Sequence, residues 1–200
     1  MTMFDKQEIY AKAAQAYEHA EDTITRIDSV FRTISGSDYD PETTLAQFDI
    51  ILQGVLVSVA CSDMIFDETE QQFIQNITVH GDLFDYIRMD TEGQVDLSWD
   101  DFASAETEGQ LALVSILPQV LSDQCESFIL PLAAVDFSYS QYGKLPTAPG
   151  DFLRSIENDM ITIATLLAFA DNDGEEVEVN AAAAMIYELV ERHWKNLIEA

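Results

Sequence analysis

The chain has 200 residues, 48% of them hydrophobic, which is enough for the core of one compact domain and excludes general disorder. Asp and Glu number 37 against 9 Lys and Arg, and the formal net charge of −28 argues against direct binding to nucleic acid or anionic membranes. With only 5 Pro and 8 Gly, the chain is also poor in the turns of a sandwich or barrel. Such a surface attracts cations and basic proteins, although a soluble acidic surface without a specific partner explains the charge equally well.

No targeting segment is predicted at the start of the sequence. The first ten residues lack the basic and apolar regions of a signal peptide. The longest apolar run, around residues 50–61, is interrupted by polar side chains and is too short to span a bilayer. Cys61 and Cys125 are isolated in apolar surroundings, which is typical of core cysteines in a reducing compartment. We therefore expect a cytoplasmic protein without a transmembrane segment.

The first two helices are predicted from apolar spacing and capping residues. Apolar residues three and four apart indicate a helix from about residue 4 to residue 34, before the breaker segment 35–37. Asp40 and Pro41 then begin a second helix, as its N-cap and its first helical residue. Both faces of this helix become apolar toward Cys61, which predicts that it is the central helix.

Two capping signals mark the helices that follow. Asp67 begins a third helix, with Glu70 three residues later as its capping-box partner, and Gly81 is expected to end it. Ser98 with Asp101 is the expected cap of a further short helix. A short helical piece and a polar loop separate these two capped helices.

The second half of the chain contains prolines and one predicted linker. Pro118 and Pro131 lie inside a long apolar segment, and breaks or kinks are expected near both because proline removes a backbone donor. Residues 138–150 form the predicted linker, and Asp151 is the expected cap of the next helix. A last helix follows an acidic turn near residues 171–178.

The fold prediction is a single all-α domain over residues 1–200. It is expected to be a bundle of about seven to nine helices, in which two helix–acidic turn–helix units are pseudo-repeated. The N-terminal helices occupy residues 1–137, an internal linker loop residues 138–150, and a C-terminal helical hairpin residues 151–200. No sheet is expected, because no segment shows sustained alternation of apolar and polar residues.

The two acidic turns have a common pattern. Each follows an apolar helix that ends in small residues, and each places an Asp, then a hydrophobic residue three or four positions later, then acids at the next helix start. Phe66 and Val177 are these hydrophobic residues, and they are expected to tie each turn to the core. The acids of the first turn are Asp63, Asp67 and Glu70, and those of the second are Asp171, Asp173, Glu175 and Glu178.

Two interpretations of these acids remain open. Carboxylates near a helix N-terminus cap free amides and complement the helix dipole, which explains Asp67, Glu70 and Glu178 without a ligand. Alternatively, a hard cation such as Ca²⁺ takes about six to eight oxygen ligands, and a cation would offset the repulsion between crowded carboxylates. The second turn is not an EF-hand loop, because its glycine stands fourth rather than sixth. The predicted site for Ca²⁺ or another divalent cation is Asp171, Asp173, Glu175 and Glu178, with a weaker second cluster at Asp63, Asp67 and Glu70.

An apolar helix, then Ala-Asp-Asn-Asp-Gly-Glu, then an acidic helix start resembles the TerB-like family linked to tellurite resistance and stress response. The match covers residues 168–190 best and residues 45–77 more loosely. In the first unit Met64 stands where the family favours Gly, and Cys61-Ser62 replaces the usual Ala and its polar neighbour. The resemblance implies an all-helical protein with repeated helix–acidic turn–helix units. It also implies binding of metal or calcium through acidic clusters, and a place in membrane-proximal or stress complexes.

No enzyme motif is present in the sequence. It contains no G-x-S-x-G, no P-loop, no G-x-G-x-x-G and no H-E-x-x-H. The three histidines are far apart: His19 is expected to be solvated, His80 to lie at a helix C-terminus, and His193 to pack on the last helix. We therefore expect no catalytic residues, no organic cofactor and no enzymatic activity.

Three functional hypotheses follow from the sequence. The leading one is a TerB-like acidic helical binding or scaffold module in stress response, with a protein partner and one weak divalent-cation site. The alternative is a nucleic-acid-mimicking or immunity-type acidic protein that binds a basic partner. The third is an enzyme that uses buried carboxylates, which would require a pocket holding several acids and a histidine.

Overall fold

The computed structural model of the chain describes residues 6–35, 40–64, 66–142, 151–170 and 176–199. All regular structure within these ranges is helical and none of it is strand, which confirms the all-α prediction. The helices are α1 (Lys6–Ser35), α2 (Pro41–Ala60), α3 (Glu68–Ile77), α4 (Leu83–Asp90), α5 (Trp99–Ala103), α6 (Thr107–Val120), α7 (Ser122–Tyr142), α8 (Asp151–Ala168), α9 (Glu176–Ile186) and α10 (Arg192–Glu199). A π turn, Tyr187–Glu191, joins α9 to α10 in one continuous helix, so the described ranges hold nine helices.

Helix α2 is the centre of the bundle, as its two apolar faces predict. Asp40 caps it by accepting a hydrogen bond from the backbone N–H of Glu42, and Pro41 is its first residue. Every residue from 48 to 61 is buried, and α2 packs against α1, α4, α7, α8 and α9. Gly54 allows the α6–α7 junction to approach closely, since a Cβ there would lie 2.7 Å from Leu121 Cδ1.

Helix α2 also satisfies the length and composition of a membrane span. The stretch Pro41–Asp63 is the one candidate among the described residues, and 83% of its most apolar part is buried inside the protein. A helix that is apolar on all sides and covered by other helices is typical of a bundle core.

Helices α1 and α8 pack along one another on one side of α2. The predicted stripe of α1 is buried, with Tyr17 5% exposed and Ala20, Ile24 and Ile27 fully covered. At the exposed edge of the α1–α8 interface, His19 on α1 contacts α8: its Nδ1 lies 2.7 Å from Asp159 Oδ2. The apolar periodicity of α1 therefore identifies its core face correctly.

Pro118 and Pro131 have different effects on the continuity of their helices. Helix α6 ends two residues after Pro118, and Leu121 separates it from α7, as the sequence predicts. Helix α7 continues through Pro131 without a break. Phe128, Leu132 and Val135, on either side of that proline, are fully buried. The packing of this face compensates for the lost backbone hydrogen bond.

Two predicted boundaries need correction. Helix α7 runs to Tyr142, so the first five residues of the predicted linker 138–150 are helical, because no glycine or proline occurs between Pro131 and Gly143. Residues 143–150 lie outside the described residues. Helix α3 ends at Ile77 rather than at Gly81, since the segment from Thr78 onward is extended and bonded to α2.

Candidate functional site

The first acidic turn is organised by helix capping. Asp67 Oδ1 accepts a hydrogen bond from Glu70 N at 2.9 Å, and Glu70 Oε2 accepts one from Asp67 N at 2.8 Å, which is the predicted capping box. Phe66 ties the turn to the core as expected, with its ring centroid 5.0 Å from that of Phe102. Met64 takes a left-handed conformation with φ 73°, which glycine adopts at less cost.

This geometry gives Asp67 and Glu70 a structural role. Glu70 is only 3% exposed, and its carboxylate faces the N-terminus of its own helix. Across the described ranges, no three or more His, Cys, Asp or Glu side chains are grouped as a metal site requires. In this turn Asp67 and Glu70 are engaged in the capping box, and the weaker cation cluster at Asp63, Asp67 and Glu70 stays a prediction.

The second acidic turn falls mostly outside the described residues. This applies to Asp171, Asp173 and Glu175, and the description of Glu178 is limited to its backbone in the first turn of α9. The cation site at these four residues therefore stays a prediction.

A buried polar pair on α2, Asp49 and Gln53, holds the connector between α3 and α4. We call this pair the α2 anchor. Asp49 is fully buried and accepts a hydrogen bond from Tyr17 Oη at 2.6 Å. Its other oxygen accepts from the backbone N–H groups of His80 at 2.5 Å and Gly81 at 3.1 Å. One side chain thus joins α1, α2 and the connector.

Gln53, one turn further along α2, binds the same connector. Its Nε2 donates to Thr78 Oγ1 at 2.7 Å and to the carbonyl of Gly81 at 2.8 Å. Its Oε1 accepts from the backbone N–H of Leu83, the first residue of α4, at 2.6 Å. Gly81 is required by this close approach, since a Cβ there would lie 2.4 Å from the carbonyl oxygen of Ala46. The α2 anchor therefore replaces water as the partner of the connector backbone.

The electrostatics of the α2 anchor fit a structural role. Burial raises the pKa of Asp49, while the hydrogen bonds from Tyr17, His80 and Gly81 oppose that shift. Burial, and next the hydrogen bond to Asp49, raise the pKa of Tyr17. The Asp49 carboxylate is fully buried, and both of its oxygens accept hydrogen bonds from the protein itself.

A second buried carboxylate, Asp136 on α7, holds the start of α8; we call it the α7 anchor. Asp136 is 1% exposed. Its two oxygens accept from the backbone N–H groups of Phe152 at 3.2 Å and Leu153 at 3.4 Å. These N–H groups belong to the first turn of α8, where the regular helical hydrogen-bond pattern provides no acceptor. The sequence pattern predicts Asp151 as the cap of α8, whereas in the structure a residue on another helix supplies hydrogen bonds to its first turn.

The described residues 82–108 carry a dense set of carboxylates, which we call the acidic surface. Nine Asp and Glu side chains stand there against one cation, Arg88, and all but Asp82 are exposed. They are Asp82, Asp85, Asp90, Glu92, Asp96, Asp100, Asp101, Glu106 and Glu108. Arg88 lies against Asp85 and has its Nη1 3.9 Å from Asp96 Oδ1, so most of this charge is not neutralised locally.

An aromatic cluster beneath the acidic surface gives it a defined shape. The ring of Phe84 lies 4.7 Å from that of Trp99, nearly perpendicular to it, and 5.4 Å from that of Phe102. Trp99 Nε1 donates to Asp82 Oδ2 at 2.8 Å, which ties α5 to the cap of α4. These contacts join α4 and α5 into one rigid support.

Large apolar side chains are exposed among the carboxylates. Met89 is 76% exposed and Val95 is 40% exposed. Met64, 64% exposed, is close to the start of α6, where Thr107 Oγ1 donates to its carbonyl at 3.4 Å. Apolar side chains surrounded by charged residues are typical of protein interaction sites.

The histidines have specific partners. His19, expected to be solvated, pairs with Asp159, although its side chain is 55% exposed. His80 Nε2 lies 2.6 Å from Glu21 Oε1, so it binds α1 rather than its own helix end. Burial lowers the pKa of His193, in agreement with a packed position.

Comparison with protein-family models, with curated proteins and with solved structures found no match to this chain.

Proposed function

We propose that this protein is an acidic helical binding module that binds a basic protein partner through its acidic surface. The observation that supports this most directly is the composition of residues 82–108. This segment carries nine carboxylates together with exposed apolar side chains, and an aromatic cluster supports it from within the fold. Such a surface steers basic partners toward it and opposes acidic ones.

Helix capping accounts for only part of this charge. Asp82 caps α4 and Asp101 belongs to the capping box of α5. Asp90, Glu92 and Glu108 form no ion pair with any residue that the structure describes. Because no described cation pairs with them, a bound cationic surface would supply them with favourable charge contacts.

The exposed apolar side chains narrow the class of partner. Met89 and Val95 offer apolar contact area inside the acidic surface, and methionine adapts to differently shaped partners. A partner segment that is both basic and amphipathic, such as a helix with Lys or Arg beside Leu, satisfies both features. A basic nucleic-acid-binding protein is one member of this class.

Binding can be tested with a synthetic Leu/Lys amphipathic helix, followed by fluorescence anisotropy. The triple variant Asp90→Asn, Glu92→Gln and Glu108→Gln should weaken binding by about tenfold or more, as expected for the loss of several favourable charge contacts. The matched control neutralises the same number of exposed acids elsewhere, as Glu18→Gln, Asp22→Asn and Glu42→Gln, and should change binding by less than about twofold.

Equal losses in the two triple variants would mean that net charge alone attracts the peptide, and would refute a localised binding surface. The variant Met89→Ser should weaken binding of the Leu/Lys peptide but leave binding of polylysine unchanged, because polylysine has no apolar side. A loss with both ligands would argue against an apolar contact at Met89.

We also propose, as the TerB-like resemblance implies, that Asp171, Asp173, Glu175 and Glu178 bind a divalent cation. The support is their concentration in one inter-helix turn of the sequence. Calorimetric titration with Ca²⁺ should give saturable heat and a raised melting temperature. The variant Asp171→Asn with Asp173→Asn should abolish both, and an absence of heat in the unmodified protein would exclude the site.

A further inference from the structure

A cleft of about 410 Å³ separates the α6–α7 junction from the continuous α9–α10 helix. Its polar lining comes from both sides, with Ser115, Gln119 and Ser122 on one and Glu188, Arg192 and His193 on the other. The volume lies within the range of about 300–1,000 Å³ that small-molecule sites occupy. This cleft shares no residue with the acidic surface.

The continuous α9–α10 helix departs from regular α-helical geometry at the residues that face the cleft. Glu188 lies within the π turn Tyr187–Glu191, and Arg192 and His193 follow directly. A π turn replaces the regular hydrogen bonds of an α-helix, is rare, and is found frequently at functional sites. Arg192 Nη1 donates to Glu188 Oε2 at 2.7 Å, so a cation and an anion face the same cleft side by side.

The charge of the lining differs from that of the rest of the molecule. One Arg and one Glu cancel, and burial lowers the pKa of His193, which favours the uncharged form of its ring. The groups that act on this ring are Glu126, Arg192 and Glu188. The chain has a formal charge of −28, so the surrounding field repels anions from this electrically balanced cleft. A simple cation would bind the acidic surface at least as favourably as it would bind the cleft.

We propose that this cleft binds a small zwitterion, a molecule of amino-acid or dipeptide size with a free carboxylate and a free ammonium group. The ligand carboxylate binds the Arg192 guanidinium and the ligand ammonium binds Glu188, so that the two halves of the existing ion pair are each matched. Ser115 Oγ already donates to the carbonyl of Ala112 at 2.7 Å, which leaves its oxygen to accept from the ligand.

The test uses L-alanyl-L-alanine as the probe in an NMR titration of the ¹⁵N-labelled protein. Saturable shifts are expected for backbone amides of residues 115–122 and 188–196. The N-acetylated, C-amidated dipeptide lacks both charges and should cause no saturable shift in these residues. An absence of saturable shifts with the free dipeptide, or equal shifts with the blocked one, would overturn the proposal.

Point variants separate the cleft from general surface charge. Arg192→Gln and Glu188→Gln should each weaken dipeptide binding by about tenfold, as expected for the loss of one charge-assisted contact. The control is Lys195→Gln on the same continuous helix. It removes an ion pair of the same sequence spacing, in which Lys195 Nζ lies 3.2 Å from Glu191 Oε2, and neither residue lines the cleft. Equal losses in control and cleft variants would refute the assignment.

Discussion

The α2 anchor and the α7 anchor use the same kind of side chain in different surroundings. Asp49 and Asp136 are both buried aspartates on core helices, and each accepts hydrogen bonds from two consecutive backbone N–H groups of a later segment. The segment that Asp136 binds is the first turn of a helix, whose dipole favours the negative charge. The segment that Asp49 binds is the non-helical connector between α3 and α4, so the two N–H groups that it accepts from belong to no helical turn.

This difference identifies what compensates the burial of each carboxylate. Asp49 depends on a network, because Tyr17 donates to it and Gln53 binds the same connector one turn away. Asp136 depends on the orientation of α8, whose first N–H groups would otherwise need other partners. Removing Asp49 should therefore disturb three segments, and removing Asp136 should disturb the junction of two helices.

Asp49→Ala should have the largest effect on stability. The substitution leaves the Tyr17 hydroxyl and two backbone N–H groups without their buried partner, which should lower the free energy of unfolding by about 3–5 kcal/mol. Urea unfolding followed by circular dichroism measures the loss. A cost below that of Asp136→Ala would contradict the comparison.

Gly81→Ala tests whether the α2 anchor works by close approach of the backbone. The added Cβ would lie 2.4 Å from the carbonyl oxygen of Ala46, a backbone atom that must move, so we expect a loss of about 2–4 kcal/mol. Gly109→Ala, within α6, is the control: its nearest contact would be 3.9 Å, and helix propensity predicts a gain of about 0.5–1 kcal/mol. Similar outcomes at both glycines would exclude the steric explanation.

Asp136→Ala should cost about 2 kcal/mol, since it removes a charged acceptor from the first turn of α8. Hydrogen exchange should show faster opening of the amides of Phe152 and Leu153, with little change at His80 and Gly81. Equal acceleration at both places would mean that the two anchors belong to one cooperative network.

A third carboxylate, Glu157, contrasts with Asp49 and Asp136, whose buried oxygens accept backbone hydrogen bonds. Its Oε1 is buried with no hydrogen-bond partner among the described residues. Burial, and next the neighbouring Glu191, raise its pKa from 4.5 to about 7, while Arg154 and Lys195 oppose the shift.

The raised pKa of Glu157 determines how the free energy of unfolding changes with pH. Between the unfolded and folded pKa values the native state binds more protons, so this group's contribution to stability falls as pH rises from about 4.5 to about 7. Glu157→Gln should therefore raise the free energy of unfolding by about 1–2 kcal/mol at pH 8, after allowance for partial exposure, and change it little at pH 4.5. A gain that is equal at both pH values would contradict this account.

The helices and their caps could be predicted because their signals are local. Asp40 with Pro41, Asp67 with Glu70, and Ser98 with Asp101 each act within about three residues of chain, where sequence spacing fixes geometry. The all-α class follows from the same signals together with apolar periodicity.

The anchors and the cleft could not be predicted in this way. Asp49 and its backbone partners are 31 and 32 residues apart, and Asp136 and its partners 16 and 17, so only the folded chain brings them together. Their one sequence signal is an isolated polar residue within an apolar helix, and Gln53 is among the polar side chains that interrupt the apolar run around residues 50–61. Gly81 was interpreted as a helix end, whereas its small size serves a contact with Ala46.

The polar pair on α2 has a consequence for how this helix is seated. A helix that is apolar on every side has no preferred rotation about its own axis, because many orientations bury the same area. Asp49 and Gln53, four residues apart, lie on one face and bind a single connector, so rotating or sliding α2 would break their hydrogen bonds. The two polar side chains thereby select one orientation of the central helix from several of similar hydrophobic energy.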